Sequence, residues 1–275
     1  MQKLAQGQIS KMKTELQSPV QYYLAMGTQR LAMNPLIGRE LLLAYTSEIH
    51  CIHCGRATKK SFAQGYCYPC MTSLAQCDSC IMSPEKCHYA AGTCREPNWA
   101  QIHCMVDHIV YLSNASGLKV GLTRATQVPT RWIDQGAVQA IPMLRVRTRH
   151  LAGLAEVLFK AEVSDRTNWR KMLKNEVEDL DLPAERARLL QQLEARWRAL
   201  DPDQTGAVQP LEDAPVSIDY PVSQYPATVS SFNLDKNPEA RGRLLGIKGQ
   251  YLIFDTGVIN LRKYTGYQLA IYAAD

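Results

Sequence analysis

Two short apolar runs lie near the middle of the chain, and a small polar turn joins them. The first run is residues 109–112, the turn is residues 113–117 and ends in a glycine, and the second run is residues 118–123. This pattern is typical of a β-hairpin. A period of two places Ile109 and Tyr111 on one face of the first strand. On the second strand, the residues that share a face are Lys119, Gly121 and Thr123.

Two helical patterns follow the hairpin. Pro129 stands where proline often occupies the first position of a helix, just before Arg131. A second helix is predicted from about Leu151, with an apolar stripe formed by Leu151, Leu154, Ala155 and Leu158. Glu156 lies at the border of this stripe, so its carboxylate can reach into a cleft while the helix stays anchored.

Between these helices, residues 143–149 alternate basic with less polar residues. A strand here would place Arg145, Arg147 and Arg149 on one face, about 7 Å apart. Phosphates along a nucleic-acid strand recur on a comparable scale, and guanidinium groups bind phosphate with two hydrogen bonds. An edge strand protected by charge would show the same pattern. Both interpretations stay open at this point.

Both ends of the chain carry short strand patterns. They fall at residues 8–13, 20–24, 40–45, 216–220, 243–247, 250–254 and 267–271. A helix over about residues 183–200 and a polar, proline-containing linker over 204–215 precede the last group. Because each end alone is small for a stable sheet, we expect the two ends to pack together as a small barrel-like unit.

The sequence therefore predicts an α+β protein with a small antiparallel sheet and helices at its centre. The predicted segments are a β segment at 1–49, a Cys-rich module at 50–104, the core at 105–175, a helix and linker at 176–215, and a second β segment at 216–275 packed with the first.

All nine cysteines lie in the predicted Cys-rich module. The first four form two C-x2-C hooks, Cys51 with Cys54 and Cys67 with Cys70. Two hooks at this separation allow four thiolates to bind one tetrahedral Zn²⁺, whereas the competing interpretation is four buried free thiols. A site closed by four cysteines has no open coordination position, so we expect it to support folding rather than catalysis.

A second zinc site is predicted from the remaining cysteines, with its ligands left open. Cys80, Cys87, Cys94 and Cys104 would complete a second set of four thiolates. His108 could replace one of them, and Cys77 would then be a spare thiol.

The net charge of +5 is concentrated in the predicted core. Residues 105–175 carry 11 Lys and Arg against 5 Asp and Glu, so this segment is at +6 and the rest of the chain at −1. Such a basic segment suggests an anionic partner, although a solvated basic face would have the same composition. The N-terminal residues lack the apolar stretch of a secretory signal, and no apolar run approaches the length of a membrane span, about 18 residues. We therefore expect a cytoplasmic protein with no membrane partner.

The residues around the hairpin resemble the core of the GIY-YIG endonuclease superfamily. The order of elements matches: a strand with Tyr, a hairpin, a strand ending x-x-Gly, a helix with Arg, a strand, a helix with Glu, and then Asn. The matching positions are Tyr111, Lys119-Val120-Gly121, Arg131, Glu156 and Asn168. Two positions differ, because Ile109 stands in place of the first Gly of the motif and Lys119 in place of the second Tyr.

This resemblance implies metal-assisted hydrolysis of a phosphodiester in DNA or RNA. It implies that Glu156 holds one Mg²⁺ or Mn²⁺ ion and that Tyr111 acts as general base or orients the water. It further implies that Arg131 stabilises phosphoryl charge and that Asn168 orients the site. Lys119 would compensate for the missing Tyr or mark a site that binds without cutting.

The whole chain is also similar to an uncharacterised prokaryotic family that joins a Cys-rich cluster to this core. The similarity includes the segment Thr130-Arg131-Trp132-Ile133-Asp134-Gln135-Gly136-Ala137. A second hypothesis is therefore a catalytically inactive zinc-containing protein that binds nucleic acid or serves as a scaffold.

Overall fold

The computed structural model describes residues 1–274 of the chain. Within them the chain forms strands β1 (Gln2–Gln8), β2 (Lys13–Glu15), β3 (Gln21–Met26), β4 (Gln29–Ala32), β5 (Glu40–Ile49), β6 (His108–Asn114), β7 (Leu118–Arg124), β8 (Gln139–Val146), β9 (Val208–Pro210), β10 (Val216–Ser217), β11 (Glu239–Lys248), β12 (Tyr251–Phe254), β13 (Gly257–Asn260) and β14 (Tyr267–Ala273). The helices are α1 (Tyr68–Ser73), α2 (Pro97–His103), α3 (Thr130–Asp134), α4 (Arg149–Phe159), α5 (Trp169–Leu173), α6 (Leu182–Gln192) and α7 (Glu194–Arg198). Short 3-10 helices span Asn34–Leu36, Ala75–Cys77, Ser79–Ile81, Pro84–Lys86, Ala125–Gln127 and Leu261–Tyr264.

The two ends of the chain share the largest sheet. Its six antiparallel strands run in the order β1-β14-β5-β11-β12-β13, so strands from the first 49 residues lie beside strands from the last 37. A three-stranded sheet, β2-β3-β4, joins its edge through a bridge between Ile9 and Met26. Among the described residues the sheet is open, and the barrel-like closure that the sequence suggested is not formed.

The central sheet consists of β10-β8-β6-β7, with β9 pairing to the remaining part of β8. Its hairpin is the predicted one, and Tyr111 lies directly opposite Gly121. The turn is fixed locally because Asn114 Oδ1 accepts a hydrogen bond from the backbone N–H of Gly117, which has a φ of +132°. An asparagine followed by a left-handed glycine is a frequent solution for such a tight turn.

Both faces of the central sheet are covered. Val110 and Leu112 point to a core shared with α4, α6 and α7, whereas Ile109 and Tyr111 point to the core shared with α3 and the large sheet. Every residue of β6 is consequently buried. The period-two prediction for Ile109 and Tyr111 is confirmed.

Side-chain caps define two of the helices that pack on this sheet. Thr148 Oγ1 accepts a hydrogen bond from Leu151 N at the start of α4, and Asp181 Oδ1 accepts one from Ala184 N at the start of α6. Each cap satisfies a backbone donor that the first helical turn leaves free. The single helix predicted over about 183–200 is interrupted at Leu193 and forms α6 and α7, although Leu189, Leu193 and Trp197 are buried in one core.

Three boundaries predicted from local pattern are wrong. The strand predicted at 8–13 is divided, because β1 ends at Gln8 and β2 begins at Lys13. The strand predicted over 143–149 ends at Val146, since Thr148 begins a helix. The linker predicted over 204–215 contains β9, and β10 also joins the central sheet.

Among residues 1–274, no helix combines the length and the apolar composition that crossing a membrane requires.

Candidate functional site

Tyr111 is fully buried in the middle of β6, and its ring lies against the backbone of β7. A Cβ atom at Gly121 would come within 2.8 Å of the Tyr111 hydroxyl oxygen, so the x-x-Gly position leaves the space that the phenol occupies. The hydroxyl donates a hydrogen bond to Gln135 Oε1 at 2.9 Å, and the ring packs edge-on against Trp132 of α3. Sequence reasoning missed Gln135, which follows α3 directly.

Arg131 brings a positive charge to this phenol from α3. Burial raises the pKa of Tyr111 to about 12, although the neighbouring Arg131 guanidinium and the hydrogen bond to Gln135 lower it. The negative charge of Glu156 raises this pKa further. Tyr111 is therefore protonated at neutral pH, and its environment includes two of the other predicted site residues.

Lys119 approaches the same place from β7. It is buried, and burial together with the Arg131 charge lowers its pKa to about 8, while Glu156 and Asp165 oppose this effect. Its segment is fixed by a parallel bridge to Ser164 in the loop after α4. An ammonium group thus lies beside Glu156, in the strand position where the GIY-YIG pattern has a tyrosine.

Glu156 lies on α4 with 15% of its side chain exposed. Burial raises its pKa above the ordinary value, although Lys160, one helical turn later, lowers it. Lys160 Nζ lies 3.6 Å from Glu156 and 2.8 Å from Asp165, so one lysine joins two carboxylates. Sequence reasoning missed Asp165, which no local pattern links to Glu156.

Asn168 is used differently from its predicted role. Its Oδ1 accepts hydrogen bonds from Arg170 N and Lys171 N and so caps α5. It lines a separate surface depression with Ser116 and Gly117 at the hairpin turn. The structure therefore brings Tyr111, Lys119, Arg131 and Glu156 together, and it gives Asn168 a helix-capping position.

The three arginines predicted on one strand face are divided between two elements. Arg145 is exposed on β8, and Arg147 follows the strand and donates a hydrogen bond to Thr205 O at 2.8 Å. Arg149 begins α4 and donates to Ile81 O in the Cys-rich module at 2.6 Å. The predicted continuous basic face is wrong beyond Val146, because the chain turns there into the helix.

The cleft beside Arg131 is lined by cationic residues that no sequence pattern groups together. It has a volume of about 370 Å³ and lies between the central sheet, the Cys-rich module and the large sheet. Its cationic residues are Lys11, Arg124, Arg131, Arg149 and Arg262. Because Lys11 and Arg262 are far from the core in sequence, only the tertiary fold shows that they share its cleft.

The first four cysteines form the predicted cluster. The Sγ atoms of Cys51, Cys54, Cys67 and Cys70 all lie within 4.8 Å of one another. The first hook turns at Gly55, whose φ is +71°, and the second lies at the start of α1. Burial raises the pKa of Cys51, but hydrogen bonds from the backbone N–H groups of Cys54, Cys67 and His53 lower it to about 6. This cluster could hold a zinc ion, because thiolates in this arrangement are its preferred ligands.

The second group of cysteines is arranged less closely. Within residues 1–274, no three of the Sγ atoms of Cys80, Cys87, Cys94 and Cys104 approach within the 4.8 Å that defines the first cluster. Burial raises the pKa of Cys80, and together with the charges of Asp78 and the other three cysteines it brings this pKa to about 11. These three cysteines therefore still lie near Cys80.

Two residues outside the predicted set approach Cys80 instead. Asp78 and His88 each place a ligand atom within 4.8 Å of its sulfur, and Asp78 also pairs with Arg95 at 2.9 Å. Cys77 packs against the first cluster. His108 is buried and its Nδ1 faces Val106 O at 2.7 Å. The ligands of a second zinc site stay a prediction.

Comparison with known proteins gives one informative result. No curated protein and no solved structure gives a significant match to the chain. One family matches residues 38–269, which include the cysteine cluster, the central sheet and most of the large sheet. The chain therefore belongs to the family described as "Protein of unknown function (DUF2797)".

Proposed function

We propose that this protein binds nucleic acid in the cationic cleft beside Arg131 and hydrolyses a phosphodiester bond with a divalent metal ion held by Glu156. The observation that carries the proposal is the convergence of Tyr111, Lys119, Arg131 and Glu156 from four different elements. These residues are the ones that match the GIY-YIG pattern. The adjacent cationic cleft supports a polyanionic substrate.

The side chains present fit a magnesium or manganese site of the open kind. Mg²⁺ is often bound through one or two carboxylates, with substrate phosphate and water as the other ligands. Glu156 and Asp165 supply two carboxylates that already share the positive charge of Lys160. An ion held by Glu156 would act as a Lewis acid toward the phosphate.

The reaction exchanges one oxygen on phosphorus for another. A water oxygen forms a bond to phosphorus and loses one proton to solvent, the bond to the leaving sugar oxygen breaks, and that oxygen takes up one proton from solvent. Tyr111 is fully buried and donates a hydrogen bond to Gln135, so it would act by holding Gln135 and Arg131 in position rather than by touching the attacking water. Arg131 donates to the non-bridging oxygens as their negative charge grows. Lys119 adds a second positive charge on the same side.

In this proposal the cysteine cluster of residues 51, 54, 67 and 70 binds zinc and holds the Cys-rich module in shape. The module reaches the cleft through Ile81 and Met82, so its zinc would stabilise one wall of the site without contacting the substrate.

The test is a cleavage assay with labelled single- and double-stranded DNA and RNA, with Mg²⁺ or Mn²⁺ added. We expect the wild type to cut only with added metal, and we expect the cleavage rate of Glu156→Gln to be at least about 100-fold lower. Glu194→Gln, an exposed glutamate on α7, is the matched control and should cut like the wild type. Equal cutting by Glu156→Gln and the wild type would refute the assignment.

A second candidate is a zinc-containing protein of the same fold that binds nucleic acid, or serves as a scaffold, without cutting. The ion pair between Glu156 and Lys160 favours it, because the Lys160 ammonium already balances the charge of the carboxylate that would hold the metal. Lys119 in place of the second Tyr also favours it. This candidate would be selected if the wild type and Glu156→Gln bind the same nucleic acid and neither protein cleaves it.

A further inference from the structure

The cationic cleft continues into a second, more apolar cavity. The second cavity has a volume of about 480 Å³, and the two share Lys11, Ile81, Met82 and Arg262 as common walls. Together they form a groove between the large sheet and the Cys-rich module, which we call the junction groove. Its cationic compartment is lined by Arg124, Arg131, Arg149 and Arg262. Its apolar compartment is lined by Ile52, Tyr66 and Met82 among others.

The cationic compartment has more positive charge than its own acids can balance. Asp134 is the acidic residue that lines it, and its carboxylate pairs with Lys11 at 2.6 Å and has only 3% of its side chain exposed. Among residues 1–274, none of the four guanidinium groups has a carboxylate within 4.0 Å.

Within the described part of the chain, the hydrogen-bond donors of these guanidinium groups also lack a full set of acceptors. Arg149 donates to Ile81 O, but its Nε is buried and has no hydrogen-bond partner among the described residues. Arg262 Nε has the neutral amide oxygen of Gln64 as its partner. Burial lowers the pKa of Arg149 and of Arg262, and the charge of Arg131 lowers both further. A phosphate would relieve this repulsion, since guanidinium groups bind phosphate oxygens through paired hydrogen bonds.

The apolar compartment presents side chains that water solvates poorly. Met82 is 86% exposed and Ile52 is 43% exposed, and both face this cavity. The flat faces of nucleobases pack on aromatic and apolar side chains with little dependence on sequence. Methionine is suited to this role because its unbranched, polarisable chain adapts to different shapes.

A base can enter a side compartment only when it is unstacked. In a duplex the bases are stacked and paired inside the helix, whereas single strands and loops can turn a base outward. The apolar compartment adjoins the cationic compartment, so a nucleotide could place its phosphate in one and its base in the other. The groove therefore matches a single strand better than a duplex.

We propose that the junction groove binds a nucleotide of a single-stranded nucleic acid, with its phosphate at the four arginines and its base against Met82 and Ile52. This inference rests on the proposed function, because it assigns the kind of substrate presented to the Tyr111–Glu156 site. DNA and RNA share this chemistry, and separate arms of the test distinguish them.

The test measures binding rather than cleavage. Fluorescein-labelled oligonucleotides of about 12 nucleotides, as single-stranded DNA, single-stranded RNA and the corresponding duplexes, are titrated with the whole protein without added Mg²⁺ or Mn²⁺. We expect one or both single strands to bind more tightly than the duplexes. Met82→Ser and Arg124→Gln should each weaken single-strand binding about fivefold or more.

Matched controls separate the groove from general surface effects. Ile102→Ser removes an apolar side chain that is 69% exposed elsewhere on the module, and Arg198→Gln removes a positive charge on α7. Both should bind like the wild type, and all four variants should keep the wild-type melting temperature because the changed side chains are not core residues.

The inference is overturned if duplexes bind as tightly as single strands, if Met82→Ser binds like Ile102→Ser, or if no oligonucleotide binds. Groove-dependent binding without any cleavage would instead refute the proposed hydrolysis and leave the groove assignment standing. If the protein cleaves with added metal and the groove variants cleave like the wild type, the proposed hydrolysis stands and the assignment of the groove is refuted.

Discussion

The cysteine cluster and the Tyr111 site are assembled in opposite ways. The cluster takes four identical ligands from a segment of 20 residues, residues 51–70, and its sulfurs converge within 4.8 Å. The Tyr111 site takes different side chains from β6, β7, α3 and α4, over residues 111–156, and the charges of Arg131 and Glu156 shift the pKa values of both Tyr111 and Lys119. The cluster could hold one metal ion, whereas the Tyr111 site brings together groups of both charges whose pKa values depend on one another.

This difference predicts different consequences of substitution. Losing a ligand of the cluster should cost local folding, since a small module depends on its metal. Changing the charged residues of the Tyr111 site should cost function with little loss of stability, because buried charges are costly to the folded state. The following experiments test that contrast, in order of decreasing effect.

The largest effect is expected from Cys51→Ser. Structural zinc contributes about 10 kcal/mol or more to the folding of small modules, so loss of one ligand should release about one zinc ion per chain and unfold the module. Metal analysis and limited proteolysis within residues 50–77 measure both changes. Cys77→Ser is the control, because Cys77 packs beside the cluster without belonging to it. Full zinc content and wild-type protease resistance in Cys51→Ser would contradict a structural zinc site.

The next largest effect is expected from the titration of His108, the first residue of β6, which follows the Cys-rich module. Burial lowers its pKa from an ordinary 6.5 to about 4, so the unfolded chain binds a proton at pH 5 and the folded chain does not. Its contribution to the free energy of unfolding is fully present above pH 6.5 and is lost as the pH falls toward 4, by about 3 kcal/mol at most.

Urea denaturation of the wild type and His108→Phe at several pH values measures this loss. The difference in unfolding free energy between the two proteins should change between pH 6.5 and 4 and stay constant above pH 7. A constant difference over the whole range would show that His108 does not titrate in this way.

A smaller effect is expected from Gly121→Ala at the Tyr111 site. The new methyl group would lie 2.8 Å from the Tyr111 hydroxyl oxygen and 2.9 Å from its ring, so the phenol must shift. Overpacking of this kind costs about 1–3 kcal/mol. Urea denaturation of Gly121→Ala, Tyr111→Phe and the double variant measures the coupling. Because the phenylalanine lacks the atom in closest contact, the double variant should lose less stability than the two single changes added together, and strict additivity would refute the packing argument.

The same contrast explains what the sequence could predict. The β6–β7 hairpin was predicted because apolar runs of four and six residues flank a polar turn that ends in glycine, and α4 was predicted because its apolar positions repeat over residues 151–158. Both patterns can be recognised in the sequence without knowledge of the fold. Strand β9 was missed because three residues carry no period of their own, whereas β10 lies within the strand predicted at 216–220 but joins the central sheet instead of the sheet formed by the two chain ends. Both become strands only because β8 offers an unpaired edge.

The sites divide in the same way. The spacing of two C-x2-C hooks is enough to predict that their four thiols meet. Cys80 instead groups with Asp78 and His88 within 4.8 Å, and no spacing rule links these three residues. For Tyr111, Lys119, Arg131 and Glu156, the order along the chain was sufficient to propose one site. Arg262 and Lys11 could not be added, because their positions in the cleft depend on how the large sheet packs against the core.

The smallest effect is expected from Arg145, one of the three arginines that the sequence predicted as a nucleic-acid face. Arg145 is exposed on a sheet surface, outside the cleft, so Arg145→Gln should weaken oligonucleotide binding only about two- to threefold. The slope of log binding constant against log salt concentration should become shallower by about one, the equivalent of one released counterion. Arg124→Gln should have the larger effect, because its guanidinium lines a concave site where several positive charges act on one phosphate. Titrations at several salt concentrations compare the two variants directly. Equal losses would mean that the protein binds nucleic acid through a broad basic surface, and the distinction between the cleft and the rest of the core would then fail.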